Sequence, residues 1–242
     1  MILIGITNIQ LMKKIVVLSG AGISAESGIQ TFRDADGLWN GYDIMEVATP
    51  EAFAKNPQLV NDFYNQRRKQ LLATEPNEAH FLLAKLQQKF DVYIITQNVD
   101  DLHERAGSKN ILHLHGELLK VRSTTETSRI YDWKSDLTKD NTDEEGHNLR
   151  PHIVWFGEEV PEMKHALKIC TDADVFIVIG TSLQVYPAAS LLHYLPHKTK
   201  IYSIDIQSLS LPKLPNLVTS IKKTATEGMK ELYTILSNKK KN

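Results

Sequence analysis

The chain has 242 residues, 42% hydrophobic and 24% charged, with a net charge of −1. That length supplies a sizeable core for one large domain with room for a small lobe, and the neutral balance argues against the basic face of a nucleic-acid protein. A single cysteine, Cys170, excludes an internal disulfide or a multi-cysteine metal site and suits a reducing, cytoplasmic setting.

The N-terminus opens apolar, with Lys13 and Lys14 after that stretch rather than before it, the wrong order for a signal peptide. Met12 reads as the true start, with residues 1–11 a disordered or artefactual extension. Residues 15–18 form a continuously apolar, β-branched run, the pattern of a strand buried on both faces. It leads into Ser19-Gly20-Ala21-Gly22-Ile23-Ser24-Ala25, a G-x-G-x-x-A turn. Gly20 permits the tight turn, and Gly22 lets backbone N–H groups approach a pyrophosphate at a helix N-terminus. A bland tight turn competes with that meaning. Residues 26–39 continue as a loop with glycines and aromatics, suited to closing over a ligand, where a dehydrogenase would have a second strand ending in an acidic residue.

Residues 34–76 look helical and rich in charge and aromatics, with no strand of their own. Within them, a helix over 62–68 puts Tyr64 and Arg67 at i and i+3, on one face. Further along, 77–89, 161–173 and 226–236 carry helical patterns, and 92–96, 175–179 and 201–206 are buried-strand runs. Residues 117–150 are polar and have little from which to build a core. Alternating strands and helices predict an α/β fold, a Rossmann-like doubly wound parallel sheet with a small second lobe. The sheet part takes 12–33, 77–116 and 151–242, and the lobe takes 34–76 and 117–150. No stretch reaches the roughly 20 apolar residues of a membrane helix, and the terminal Lys239, Lys240 and Lys241 are a solvated tail.

Five segments in order carry a family resemblance: Gly20 to Arg33 (G-A-G-I-S-A-E-S-G-I-x-T-F-R), Thr96-Gln97-Asn98-Val99-Asp100, His113-Leu114-His115-Gly116-Glu117, Val154-Trp155-Phe156-Gly157-Glu158 and Gly180-Thr181-Ser182. Together they resemble the sirtuins, across about residues 13 to 238. The resemblance implies an NAD-dependent protein-lysine deacylase. The acyl oxygen displaces nicotinamide from the ribose, and a histidine acts as general base on a ribose hydroxyl. Free lysine, nicotinamide and O-acyl-ADP-ribose result. His115 is then the base. Asn98 holds ribose hydroxyls with an amide that both donates and accepts, Asp100 accepts from the nicotinamide carboxamide, and Phe32 covers the ribose. The implied NAD site takes in Gly20, Ala21, Gly22, Ile23, Ser24, Glu26, Thr31, Phe32, Arg33, Trp39, Gln97, Asn98, Val99, Asp100, Gly180, Thr181, Ser182 and Ala225. Asp205-Ile206-Gln207 belongs to it less securely, because the family often has an N-x-E turn there. The implied partner is an acylated-lysine protein, whose backbone pairs with a strand at Val154, Trp155, Phe156, Gly157 and Glu158. No nucleic acid or membrane is involved, and the chain is a monomer.

A Y-x-x-R pattern such as Tyr64/Arg67 marks the sirtuin branch that removes succinyl and malonyl groups, since Arg grips a carboxylate in a bidentate fork and Tyr adds a hydrogen bond. Ala48 suits a roomy acyl pocket. On an ordinary exposed helix the same pair would mean nothing. Most sirtuins also carry four zinc cysteines between the H-G segment and the peptide-binding strand. Here the interval has none; Ser123 stands where the first is expected, and the lone His147 with carboxylates does not make a tetrahedral thiolate site. No zinc is expected, and the module is a shortened ribbon or helical lobe lacking that staple. His113 and His115 at i and i+2 would share a strand face, His113 being structural. Asp101 would N-cap a helix at Leu102, Cys170 is an inert buried thiol, and the other histidines are surface or packing residues. Two other functions compete: NAD hydrolysis without a protein substrate, and an inactive NAD-sensing module.

Overall fold

A computed structural model describes residues 12–30, 38–39, 41–209 and 212–238. The supposed extension 1–11 lies outside them, as do Thr31, Phe32, Arg33 and the side chain of Trp39. The chain begins with β1 (Lys14–Ser19), the hairpin β2 (Leu38–Trp39) and β3 (Tyr42–Asp43), then helices α1 (Ile44–Val47), α2 (Pro50–Lys55), α3 (Pro57–Leu72) and α4 (Glu78–Leu86). There follow β4 (Asp91–Thr96), α5 (Leu102–Arg105), β5 (Ile111–His113), β6 (Gly116–Ser123), β7 (Ile130–Asp132) and β8 (Leu149–Ile153). The chain closes with α6 (Met163–Cys170), β9 (Val175–Ile179), β10 (Lys200–Ile204), β11 (Val218–Ile221) and α7 (Ala225–Asn238).

Six strands form one sheet in the order β11-β10-β9-β1-β4-β5, every neighbouring pair parallel. Side chains alternate between its faces. Ile15 and Val17 of β1, with Ile177 of β9, pack under α4 and α7 against Leu83 and Met229. Val16 and Leu18, with Phe176 and Val178, pack on the other face against Ala166 and Cys170 of α6. Apolar residues at every position are therefore what the strands need, each fully buried one contributing about 1.5–3 kcal/mol. Strand order reverses direction between β1 and β9, so their adjacent carboxyl ends open a crevice where this class of sheet binds ligands.

Several elements differ from expectation. The turn after β1 is two short 3-10 segments, Ala21–Ile23 and Ala25–Ser27, rather than a helix. The stretch 34–76 includes the β2–β3 hairpin, and β10 stops at Ile204, leaving Ile206 exposed. Strand β11 was not foreseen, and β5 ends at His113 instead of continuing to His115; both are short edge strands with few wholly buried positions.

The two insertions pack on each other. Val60, Phe63, Tyr64 and Leu71 of α3 share a core with Leu118 of β6, Ile153 of β8 and Trp155. Helix α3 starts at Pro57 behind Asn56, whose side chain accepts the Leu59 N–H. Its fully buried Arg68 donates to the Leu118 carbonyl at 3.1 Å and to Asn65 at 2.7 Å, and Asn65 exchanges two hydrogen bonds with the backbone of Leu137. The polar interval is a three-stranded antiparallel sheet, β7-β6-β8, over a small core of Val121, Leu137 and Leu149.

Two turns cap that sheet where the cysteine pairs would stand. Ser123 Oγ accepts the N–H groups of Thr125 and Glu126 at 3.3 and 3.2 Å. Asp143 Oδ1 accepts those of Glu145 and His147 at 3.0 and 2.9 Å. Asp143 Oδ2 meets His147 Nδ1 at 3.2 Å and Arg129 Nη1 at 3.6 Å. Burial pushes this carboxyl up, but hydrogen bonds from Ser123, the two backbone N–H groups and His147 outweigh it and hold the group far below the usual carboxylate range.

Candidate active site

The loops after β1 and β9 press together at the reversal point. Gly20 N donates to the Ile179 carbonyl at 3.0 Å and Gly22 N to the Gly180 carbonyl at 2.8 Å. A Cβ on Gly22 would stand 2.7 Å from Gly180 Cα, and one on Gly20 would stand 2.7 Å from Thr181 Cβ. The glycines thus serve loop-against-loop contact as well as any approach to phosphate. Gly180 needs its freedom twice over, with φ +63° and Ile23 N at 2.2 Å from any Cβ.

Beside this contact, a cavity of about 230 Å³ runs between the sheet and the small lobe. Ala21, Gln97, Asn98, Val99, Asp100 and His115 line it from the sheet; Ala48, Tyr64 and Arg67 line it from the lobe. A buried chain ties the sheet side together: Asn98 Nδ2 donates to Ser24 Oγ at 3.2 Å, and Ser24 Oγ donates to Asp100 Oδ2 at 3.0 Å. Asp100 Oδ1 accepts the Leu102 N–H at 3.2 Å, so Asp100 caps α5 and Asp101, at the cap position, does not. Burial raises the Asp100 carboxyl, partly countered by these two hydrogen bonds. Gln97 Oε1 accepts from Thr181 Oγ1 at 3.1 Å, while Gln97 Nε2 is buried with no acceptor among the described residues. A donor left over in a cavity wall is a place for a ligand oxygen.

The two histidines of the H-G segment part company. The strand ends at His113, so alternation no longer applies beyond it; His115 lines the cavity, and His113 faces a second pocket on the far side of Asp100. His113 sets Nδ1 against the Asn98 carbonyl at 3.0 Å and Nε2 against Glu104 at 2.8 Å, both acceptors. Burial opposes its charge, but Glu104 and that carbonyl raise its pKa. His115 Nδ1 lies 3.1 Å from the Gln97 carbonyl, which only accepts, so Nδ1 carries the proton and Nε2 keeps a lone pair. Burial lowers its pKa and favours the neutral ring. Acceptors at both ring nitrogens favour the charged form of His113, whereas His115 faces one acceptor and is shifted toward the neutral ring.

Tyr64 and Arg67 are buried side by side in the cavity wall, not exposed on a helix surface. Burial lowers Arg67 to about 10, with Tyr64 and Asp100 favouring the cation, so it stays charged at neutral pH. The segment 154–158 is a loop and turn beyond β8 rather than a strand. Its Val154, Trp155 and Phe156 N–H groups donate to the His115 carbonyl, Glu158 Oε2 and the Ala48 carbonyl, and Gly157 turns with φ +90°. Glu158 touches the cavity, but its charge is taken by Arg150 at 2.6 Å.

Other residues of the expected set lie elsewhere. Glu26 turns away to accept the Thr226 N–H and hydroxyl, at 2.9 and 2.6 Å, fastening the start of α7. Ser182, Asp205, Ile206, Gln207 and Ala225 line the other half of the sheet's carboxyl edge, where Gln207 N donates to Asp205 at 2.9 Å. Gln30, Val185 and Tyr186 line the cavity without any pattern in the sequence marking them. His80 and His103, which no pattern separated from surface residues, are fully buried, with His103 Nε2 2.9 Å from Ser19 Oγ.

The chain is similar to known proteins in sequence and in fold. The Sir2 family model matches residues 20–187. An NAD-dependent protein deacylase of Helicobacter pylori is 56% identical over 221 residues, covering 91% of this chain and 96% of the relative. A solved Sir2 homolog–NAD complex superposes with a TM-score of 0.83 at 41% identity, over 93% of this chain and 90% of the other. A mutant Sir2 homologue bound to 2'-O-acetyl ADP ribose gives 0.84 at 40% identity, over 96% of each chain.

Proposed function

The chain belongs to the Sir2 family, and from that premise we propose that it is an NAD-dependent protein-lysine deacylase, preferring succinyl and malonyl over acetyl groups. NAD, when bound, supplies the ribose that takes the acyl group in place of nicotinamide, and with one water consumed to release the lysine amine the products are free lysine, nicotinamide and O-acyl-ADP-ribose. The unsatisfied Gln97 Nε2 and the single hydrogen bond on each Asp100 oxygen fit such a ligand. In this reading His115 Nε2 takes the proton of a ribose hydroxyl, Asn98 orients ribose hydroxyls, and Asp100 receives the carboxamide. The loops around Gly20–Ser24, Gly180–Ser182 and Asp205–Gln207 hold the rest of the cosubstrate. The acylated peptide crosses the rim by Phe156 and Tyr186, both exposed, and pairs through the carbonyls of the 154–157 segment, since three of its N–H groups are engaged.

The acyl preference rests on one observation: a buried cation, Arg67, beside the Tyr64 hydroxyl in the wall of the same cavity as His115. A guanidinium beside a hydroxyl can grip a carboxylate in a bidentate fork with a third hydrogen bond added. Arg67→Met is expected to reduce desuccinylation kcat/KM by at least about 100-fold and to leave deacetylation within a few fold. Equal loss of both activities sinks the preference. Assaying NAD with and without acylated peptide for O-acyl-ADP-ribose separates the deacylase from a hydrolase or a silent NAD binder.

We further propose that the protein works without zinc, as a monomer in the cytoplasm. At the turn positions the available donors are Ser123, Glu126, Asp143 and His147, with no thiolate among them, and Arg129 already sits against Asp143, which does not fit the family's zinc. Among the described residues no cluster of three or more His, Cys, Asp or Glu is arranged to hold one, and no helix is long and apolar enough to cross a membrane.

A further inference from the structure

Tyr64 is wholly buried, and its oxygen accepts a hydrogen bond from Trp155 Nε1 at 3.0 Å. An indole nitrogen can only donate. The tyrosine oxygen is therefore the acceptor in this pair, and its own O–H is directed elsewhere. No described residue receives that hydrogen. We propose that Trp155 is a specificity-determining positioning residue, which turns the Tyr64 hydroxyl so that its O–H donates into the cavity toward an acyl carboxylate.

The indole is itself held firmly. The Arg150 guanidinium lies 3.3 Å from its ring centroid, and Phe53 packs at 5.3 Å. Arg150 donates to both oxygens of Glu158, at 2.6 and 3.1 Å, and to the Ile153 carbonyl at 2.9 Å. Glu158 in turn accepts the Trp155 backbone N–H at 2.7 Å, which closes a ring of contacts from β8 through the turn and back. Arg122 of β6 adds a second cation to Glu158 at 3.4 Å. The antiparallel module thus fixes the tryptophan, and the tryptophan fixes the hydroxyl. Burial raises the Tyr64 phenol, so it keeps the proton it must donate. A donor held in place has less rotational freedom to lose when an anion arrives, whereas a neutral acetyl group has no carboxylate for it to meet.

This orientation bears on specificity only if the cavity takes an acidic acyl group, as proposed above. The test compares succinyl and acetyl forms of one peptide across wild type, Trp155→Phe, Tyr64→Phe and the double variant. Phenylalanine keeps an aromatic ring against Arg150 and removes the N–H. Trp155→Phe is expected to lower the succinyl-to-acetyl ratio of kcat/KM about fivefold, mainly through KM for the succinyl peptide. In the Tyr64→Phe background the same substitution should leave the ratio unchanged. A Trp155→Phe variant that scales both activities equally, or acts equally with and without the Tyr64 hydroxyl, overturns the proposal while the acidic preference stands. If Tyr64→Phe and Arg67→Met both leave the ratio unmoved, the acidic preference fails, and this orientation role fails with it. A wild-type complex with a succinyl peptide gives an answer independent of the variants. Trp155 Nε1 and one acyl carboxylate oxygen should both lie within hydrogen-bond distance of the Tyr64 oxygen; a carboxylate bound to the indole N–H instead refutes it.

Discussion

Strand β9 at the middle of the parallel sheet buries all five of its residues, while β7 at the edge of the antiparallel module buries none of its three. The sheet is held by apolar side chains on both faces, in two continuous layers. The module has three buried apolar residues of its own and depends on side chains that satisfy turns: Ser123, Asp143 and the cations around them. Apolar burial is spread over many residues and loses strength by degrees. A hub such as Asp143, with Ser123, Arg129, Glu145 and His147 on one carboxylate, concentrates the order of two turns in one group. The module also carries Arg150, which lies over Trp155, and Arg122, which reaches it through Glu158, so its order extends to the wall of the cavity.

The contrast can be broken from either side. Ile177→Ala removes a fully buried side chain from β9 and is expected to cost about 2–5 kcal/mol of global stability. Urea unfolding followed by fluorescence and by far-UV dichroism should show one common, earlier transition; separate transitions would mean the sheet and the module do not unfold together. Asp143→Ala should act locally instead. Amide exchange should rise at least about tenfold in β6, β7 and β8 and stay as in wild type in β1 and β9. Uniform protection across the variant would remove Asp143 as the hub. The same carboxyl predicts an acid limit. Its folded pKa lies below the unfolded value of about 4, so its contribution is complete above that pH and is lost as pH falls further. On acid titration the module should therefore open before the sheet, seen as exchange in β6–β8 preceding loss of far-UV dichroism. Treatment with a strong chelator should have the smallest effect, leaving the melting temperature unchanged and releasing no zinc; one zinc per chain would contradict the metal-free proposal.

Much of the protein was legible in the chain itself. Four apolar runs located β1, β4, β9 and β10, because a strand buried on both faces must be apolar at every position, whatever its neighbours are. The G-x-G turn marked the loop after β1 through its glycines, and the family resemblance of the T-Q-N-x-D run and the H-G segment marked those at the carboxyl ends of β4 and β5. Side-chain partnership was not legible in this way. Glu26 fastens α7 across 200 positions of sequence, Asp100 rather than Asp101 caps α5, and Tyr64 meets Trp155 across 91 positions. His113 and His115 stand two residues apart, yet one faces a carboxylate that favours its charged form and the other faces only a carbonyl. Local pattern sets which segments are strand, helix or turn, because those depend on neighbours in the chain. Which nitrogen holds a proton, and where a hydroxyl points, depend on atoms brought close only by folding, and so the tertiary structure alone decided them.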